Sequence, residues 1–156
     1  MERNVCCFFG HRTIIETEEL KSKVYEKIEE LVTRERVDTF LFGSKGRFNE
    51  LCYIIVSKIK EKHSHIKRVY VRAEYPIIDD DYKQYLLKLY ENTYYPDKIL
   101  GAGRAVYIKR NFDMIDNSSF CVVYYNDAQP LSDRRSGTKI ALEYAVRKKK
   151  EIYIFK

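Results

Sequence analysis

Three short polar turns carry the residue types that hold a phosphorylated ligand. Gly10-His11-Arg12 ends one apolar run, Gly43-Ser44-Lys45-Gly46 ends another, and the stretch from Asn126 to Thr138 follows a third. Glycine at such a turn lets the backbone bend sharply or approach a ligand. Free N–H groups at a helix start bind anions, phosphate above all. Ser136-Gly137-Thr138 is the best candidate of this kind, with Arg134 and Arg135 beside it; its bland alternative is an ordinary N-capped helix start. Arg12 and Lys45 add positive charge, and an arginine can pair bidentately with a phosphate. His11 can hydrogen-bond a base or a ribose, act in acid–base chemistry, or simply brace its loop. The Gly43–Gly46 loop is neither a Walker loop nor a G-x-G-x-x-G fingerprint, so its signal comes from its position.

Carboxylates are scarce among these turns. Glu74 ends the third apolar run and is placed to touch a ribose or to serve as a catalytic group. Asn126 is an alternative ribose contact. Arg110, Asn111 and Asp116 precede the fourth strand and either fix its entry or reach the ligand. Glu143 points away from the stripe formed by Ile140, Ala141, Tyr144 and Ala145, so it is a poor acid or base for the cleft. Gly101-Ala102-Gly103 reads as a flexible turn, and the fourteen tyrosines read mostly as fill, with one or two able to stack on a base.

The elements that must position these groups alternate. Val5–Phe9, Thr39–Phe42, Ile66–Val71, Phe120–Tyr125 and Glu151–Phe155 are short apolar strands. Helical spacing follows the first in Leu20, Val24, Ile28, Leu31 and Val32, capped by Thr13 with Glu16 or by Thr17. It follows the second in Phe48, Leu51, Cys52, Ile55 and Ile59. A short helix is expected from Asp79-Asp80-Asp81 onward, a loop from Tyr94 to Gly103, and a helix from Arg104 to Ile115. Short apolar strands alternating with helices predict an α/β fold, a Rossmann-like three-layer sandwich with a mostly parallel sheet of five strands or slightly more. Ligands in such sheets sit beyond the strand carboxyl ends, where the strand order reverses. The three polar turns are expected to converge there.

Length and composition bound the reading. At 156 residues, with 45% hydrophobic and 33% charged residues, the chain is expected to be a single soluble domain of residues 1–156. It has no apolar run of the roughly 20 residues that span a bilayer, and its start lacks a secretory pattern. A cytoplasmic location without membrane association is therefore expected. The net charge of +6 suits a phosphate-bearing ligand and is weak as a case for nucleic acid. Cys6, Cys7, Cys52 and Cys121 lie in apolar runs without metal spacing, so buried free thiols are expected, with no metal and no cofactor.

Several segments together resemble the YpsA-like branch of the SLOG superfamily. They are Phe8-Phe9-Gly10-His11-Arg12, Phe42 through Phe48, Lys109-Arg110-Asn111 with Met114-Ile115-Asp116, and Ser136-Gly137-Thr138 with Ala141 and Tyr144-Ala145. The resemblance implies a nucleotide-derived ligand at the strand carboxyl ends and association as a homodimer or higher homo-oligomer. Relatives in that superfamily include cytokinin-activating phosphoribohydrolases, the DNA-processing protein DprA and antiphage sensors of cyclic ADP-ribose-like signals. The phosphoribohydrolase pattern P-G-G-x-G-T-x-x-E is replaced here by Arg135-Ser136-Gly137-Thr138, with Ala141 at the glutamate position. Binding without turnover is therefore the first expectation, as a sensor or as a sequestering protein in antiphage signalling. An N-glycosidic hydrolase using Glu74 is the second. A module that binds nucleic acid or a protein partner is the third.

Overall fold

A computed structural model describes residues 4–43, 45–126 and 137–156. Six strands form one sheet: β1 (Val5–Gly10), β2 (Thr39–Phe42), β3 (Lys67–Val71), β4 (Asn92–Tyr94), β5 (Phe120–Tyr124) and β6 (Glu151–Phe155). Their order is β4-β3-β2-β1-β5-β6, and every pairing is parallel. Among the described residues, five α-helices connect them: α1 (Glu18–Thr33), α2 (Arg47–Lys62), α3 (Asp80–Leu89), α4 (Val106–Asp116) and α5 (Gly137–Arg147).

The central strands β2, β1 and β5 are apolar on both faces because both faces are covered. Side chains alternate along β1. Cys6 and Phe8 enter one core cluster with Val24 and Ile28 of α1 and Phe48, Val56 and Ile59 of α2. Cys7 and Phe9 enter the other, with Met114 and Ile115 of α4 and Ala141 and Ala145 of α5. This makes a Rossmann-like three-layer sandwich. All four cysteines are buried free thiols, and those of Cys7 and Cys121 lie 3.7 Å apart across the β1–β5 pairing.

Helix starts follow the local chemistry. The Thr17 hydroxyl accepts from Leu20 N–H at 3.0 Å, and the Asp79 carboxylate accepts from Tyr82 N–H at 2.8 Å. Gly46 gives α2 no side-chain cap; instead the Arg12 carbonyl accepts from Arg47 N–H at 2.8 Å. That bond ties the loop after β1 to the loop after β2. A bidentate pair, Arg47 to Glu16 at 2.6 Å on both bonds, fastens it again.

The segment read as a loop from Tyr94 to Gly103 is more structured than expected. Tyr94 ends β4, which pairs Val71 with Tyr94, and Asp97–Ile99 forms a 3-10 turn with Ile99 buried. The sheet therefore gains a sixth strand at its edge. Helix α4 starts at Val106, after a second 3-10 turn over Gly103–Ala105. On α5, Ala141 and Ala145 are buried, whereas Tyr144 is half-buried and stacks on Phe112 at 3.9 Å.

Candidate functional site

The strand order reverses between β1 and β5, since β1 leads outward to β2, β3 and β4 while β5 lies on its other side. A crevice opens at the carboxyl ends of such a pair. Gly10 and Tyr124 are register partners at that point. Gly10-His11-Arg12 leaves β1 there, and Tyr125-Asn126 leaves β5.

His11 bridges the two. It is 5% exposed, and its Nε2 accepts from Asn126 N–H at 3.1 Å while its ring lies 5.2 Å from that of Tyr125. Accepting at Nε2 places the proton of the neutral ring on Nδ1. Burial lowers the His11 pKa below its ordinary value, which favours this neutral form. His11 is thus a strut across the switch point, and its Nε2 is committed. The Tyr124 hydroxyl, fully buried, accepts from Ile15 N–H at 3.1 Å and holds the rest of the β1 loop. Arg12 is exposed.

The glycines of these turns are set by close packing. A Cβ on Gly10 would lie 2.7 Å from Cδ2 of Phe48. A Cβ on Gly43 would lie 2.7 Å from the Met114 sulfur and 2.8 Å from Cδ and Nε of Arg110. Gly137 differs, because a Cβ there meets none of the described residues within 4 Å. Gly137 and the buried Thr138 open α5. Ser44, Arg134, Arg135 and Ser136 lie outside the described residues.

Next to the switch point, the ends of β2 and β3 gather positive charge. Arg110, from the first half of α4, is 4% exposed and passes beneath Gly43. Its guanidinium donates to the Val71 carbonyl at 3.2 Å and to Oδ1 of Asn111 at 3.1 Å. Arg72 is 8% exposed. It donates to the Tyr75 carbonyl at 3.2 Å, the Pro76 carbonyl at 3.4 Å and the Thr93 hydroxyl at 3.0 Å. These bonds secure the β3–α3 loop, in which Tyr75 takes a left-handed φ of 60°. Among the described residues, neither guanidinium has a carboxylate within ion-pair distance. Burial lowers the pKa of both below the usual arginine value.

Glu74 sits at the mouth of this region. Its Oε1 accepts from the Tyr107 hydroxyl at 2.8 Å and from Lys45 Nζ at 3.3 Å. The Tyr107 bond, then Lys45, lower the Glu74 pKa, so the carboxylate stays ionised. Such a group suits accepting hydrogen bonds better than donating a proton. Lys45, Tyr70, Arg72, Glu74, Tyr75 and Tyr82 line an open cleft of about 50 Å³.

Asp116 belongs elsewhere. It is the last residue of α4, six residues beyond Arg110. The Tyr144 hydroxyl donates to it at 2.8 Å, and Lys98 Nζ lies 3.2 Å away. Burial, then the Asp116 bond, push the Tyr144 pKa up to about 12. Asp113 joins the same cluster through Tyr94 and Lys98. Arg110 and Asn111 are thus paired with each other at the ends of β2 and β3, while Asp116 ties α4 to Lys98 and to Tyr144 of α5.

Sequence reasoning missed Arg72, Tyr107 and Tyr82 as parts of this region. Position carried some signal for Arg72, which directly follows the apolar run of β3. Nothing local marked Tyr107, which lies 33 residues from Glu74. Among the described residues no His, Cys, Asp and Glu cluster could hold a metal ion, and no helix is long and apolar enough to cross a membrane. The chain matches no protein-family model and no curated protein sequence.

Proposed function

We propose that the protein binds a nucleotide or nucleotide-derived signalling molecule across the carboxyl ends of β2, β1 and β5. The observation that carries the reading is the pair of buried guanidinium groups, Arg72 and Arg110, held at this edge without a carboxylate partner among the described residues. A buried charge is costly unless an opposite charge or several hydrogen bonds compensate it. Bonds to neutral carbonyls and a hydroxyl satisfy the N–H donors of these groups but not their charge, which an anionic ligand at the ends of β2 and β3, beside the crevice between β1 and β5, would neutralise.

The dimensions fit an extended ligand. Neighbouring strands lie about 4.8 Å apart, so the ends of β3 and β5 are separated by roughly 14 Å. A phosphate held at β2 and β3 leaves the remainder of the molecule to run past His11 toward Asn126, Gly137 and Thr138. Gly137, at the start of α5, suits a second phosphate there. Arg12 and Lys45 reach in from exposed positions. The family resemblance extends the reading to cyclic ADP-ribose-like signals, with a role as a sensor or a sequestering protein in antiphage signalling.

The test is mass spectrometry of small molecules released by heating the purified protein. It is repeated after incubation with a panel of signal nucleotides that includes cyclic ADP-ribose isomers. An intact nucleotide, recovered from the wild type and lost from Arg110→Met, supports the reading. Release of a free base with ribose phosphate replaces it with N-glycosidic hydrolysis. If no member of the panel is retained, the nucleotide reading fails.

A further inference from the structure

The Glu74 carboxylate and the buried arginines have an arrangement that a simple ribose contact does not require. Among the described residues, Glu74 is the only acid lining the β2–β3 cleft, which also holds Lys45 and Arg72. Its Oε1 takes both the Tyr107 hydroxyl and the Lys45 ammonium. Arg110, 96% buried, has one terminal nitrogen on the Val71 carbonyl and Nε on Asn111. Its other terminal nitrogen makes no hydrogen bond among the described residues. The Arg110 guanidinium carbon lies 5.9 Å from the centre of the Tyr107 ring, whose hydroxyl donates to Glu74.

The Lys45–Glu74 pair is also weakly anchored. The Lys45 side chain is 76% exposed and that of Glu74 is 37% exposed. Exposed pairs of this kind contribute about 0–1 kcal/mol. The contact therefore does little to hold the fold, and an incoming anion meets little resistance in breaking it. The donors around Glu74 — an ammonium, a phenol and a nearby guanidinium — are those that recognise a phosphoryl group.

We infer that Glu74 is a displaceable internal counter-anion, occupying a phosphoryl subsite built from Lys45, Tyr107 and Arg110. Ligand binding there is an exchange. The phosphoryl oxygens take the Lys45 and Tyr107 hydrogen bonds and face the Arg110 guanidinium, and the Glu74 carboxylate turns out into water. No covalent bond changes. The inference rests on the anionic-ligand reading above, and it reverses the sign expected for Glu74. A carboxylate that anchored ribose hydroxyls would strengthen binding, whereas an internal competitor weakens it.

The experiment is calorimetric titration of inorganic pyrophosphate into the wild type, Glu74→Gln and Glu74→Ala, each first shown to melt cooperatively. Both variants are expected to bind pyrophosphate about fivefold more tightly than the wild type, equivalent to about 1 kcal/mol. Adding Arg110→Met to either variant is expected to abolish the gain, which locates it at this subsite. Equal or weaker binding by both Glu74 variants overturns the inference, as does a gain that survives Arg110→Met. Loss of nucleotide retention in the wild type bears on the ligand class instead. Tighter pyrophosphate binding without any retained nucleotide would leave this subsite standing and end the nucleotide reading.

Discussion

Replacing Gly10 by alanine tests whether the turn after β1 is shaped by the protein's own packing. The added Cβ would lie 2.7 Å from Cδ2 of Phe48 and 3.0 Å from its Cβ and Cγ. Phe48 is fully buried, and its ring lies 5.7 Å from that of Tyr124, so it has little room to retreat. Gly10 is not among the positive-φ residues, so the backbone itself accepts alanine. The steric cost is that of an overpacked core, about 1–3 kcal/mol. The loss of chain freedom in the unfolded state returns about 0.4–1 kcal/mol. A net loss of about 1–2 kcal/mol follows, or roughly 2–8 °C in melting temperature for a chain of this size. Phe48→Ala removes Cγ and Cδ2, two of the three atoms that the new methyl meets. In a double-mutant cycle read by urea denaturation, the two substitutions are expected to couple by at least about 1 kcal/mol, with the double variant more stable than additivity allows. Additive losses would refute the packing argument. So would a Gly10→Ala protein of unchanged stability that had lost its ligand, because glycine would then serve the ligand's approach.

Two further outcomes follow from the switch point. The lowered His11 pKa means that stability is fully present above the unfolded value of about 6.5 and declines as pH falls through the window between 6.5 and the lower folded value. His11→Gln is expected to flatten that slope in urea midpoints measured from pH 5 to pH 8, and an unchanged slope would remove His11 as its source. Tyr124→Phe deletes the acceptor for Ile15 N–H, which is expected to cost about 1 kcal/mol and to speed amide exchange at Ile15. Unaltered exchange there would mean that the hydroxyl does not hold the loop.

The fold was legible because both layers leave marks in local sequence. Cys6-Cys7-Phe8-Phe9 and Thr39-Phe40-Leu41-Phe42 are continuous apolar runs, as strands covered on both faces must be. Asn92-Thr93-Tyr94 escaped because a three-residue edge strand need not be apolar; its place is set by pairing with β3. Strand order was hidden for a related reason. Nothing within Cys7 or Cys121 indicates that they are neighbours, 114 residues apart. At the site, the positions of the turns were readable and the reasons for their glycines were not. Gly10 and Gly43 looked open to a ligand, whereas Phe48, Met114 and Arg110 fill the space beside them. Arg72 was overlooked because its burial depends on Thr93 and on the carbonyls of Tyr75 and Pro76, which only the folded loop brings together.

The central position of β1 has a consequence for how the molecule assembles. On one side its partner is near in sequence, with Asn4 and Asp38 joined across 34 residues. On the other side the partner is 114 residues away. The entropic difference in closing the two loops is only roughly 1 kcal/mol, so equilibrium stability hardly registers it. The kinetics register it more strongly, because non-local parallel pairings form slowly. The β1-to-β4 half can condense under α1 and α2 while the face carrying Cys7, Phe9, Val69 and Val71 still awaits α4 and α5. During that interval β1 presents an unpaired edge beside an uncovered apolar face, the form in which a sheet is most prone to join another chain. The reversal of strand order that opens a crevice for a ligand is therefore also the seam along which a half-folded chain is most vulnerable to aggregation.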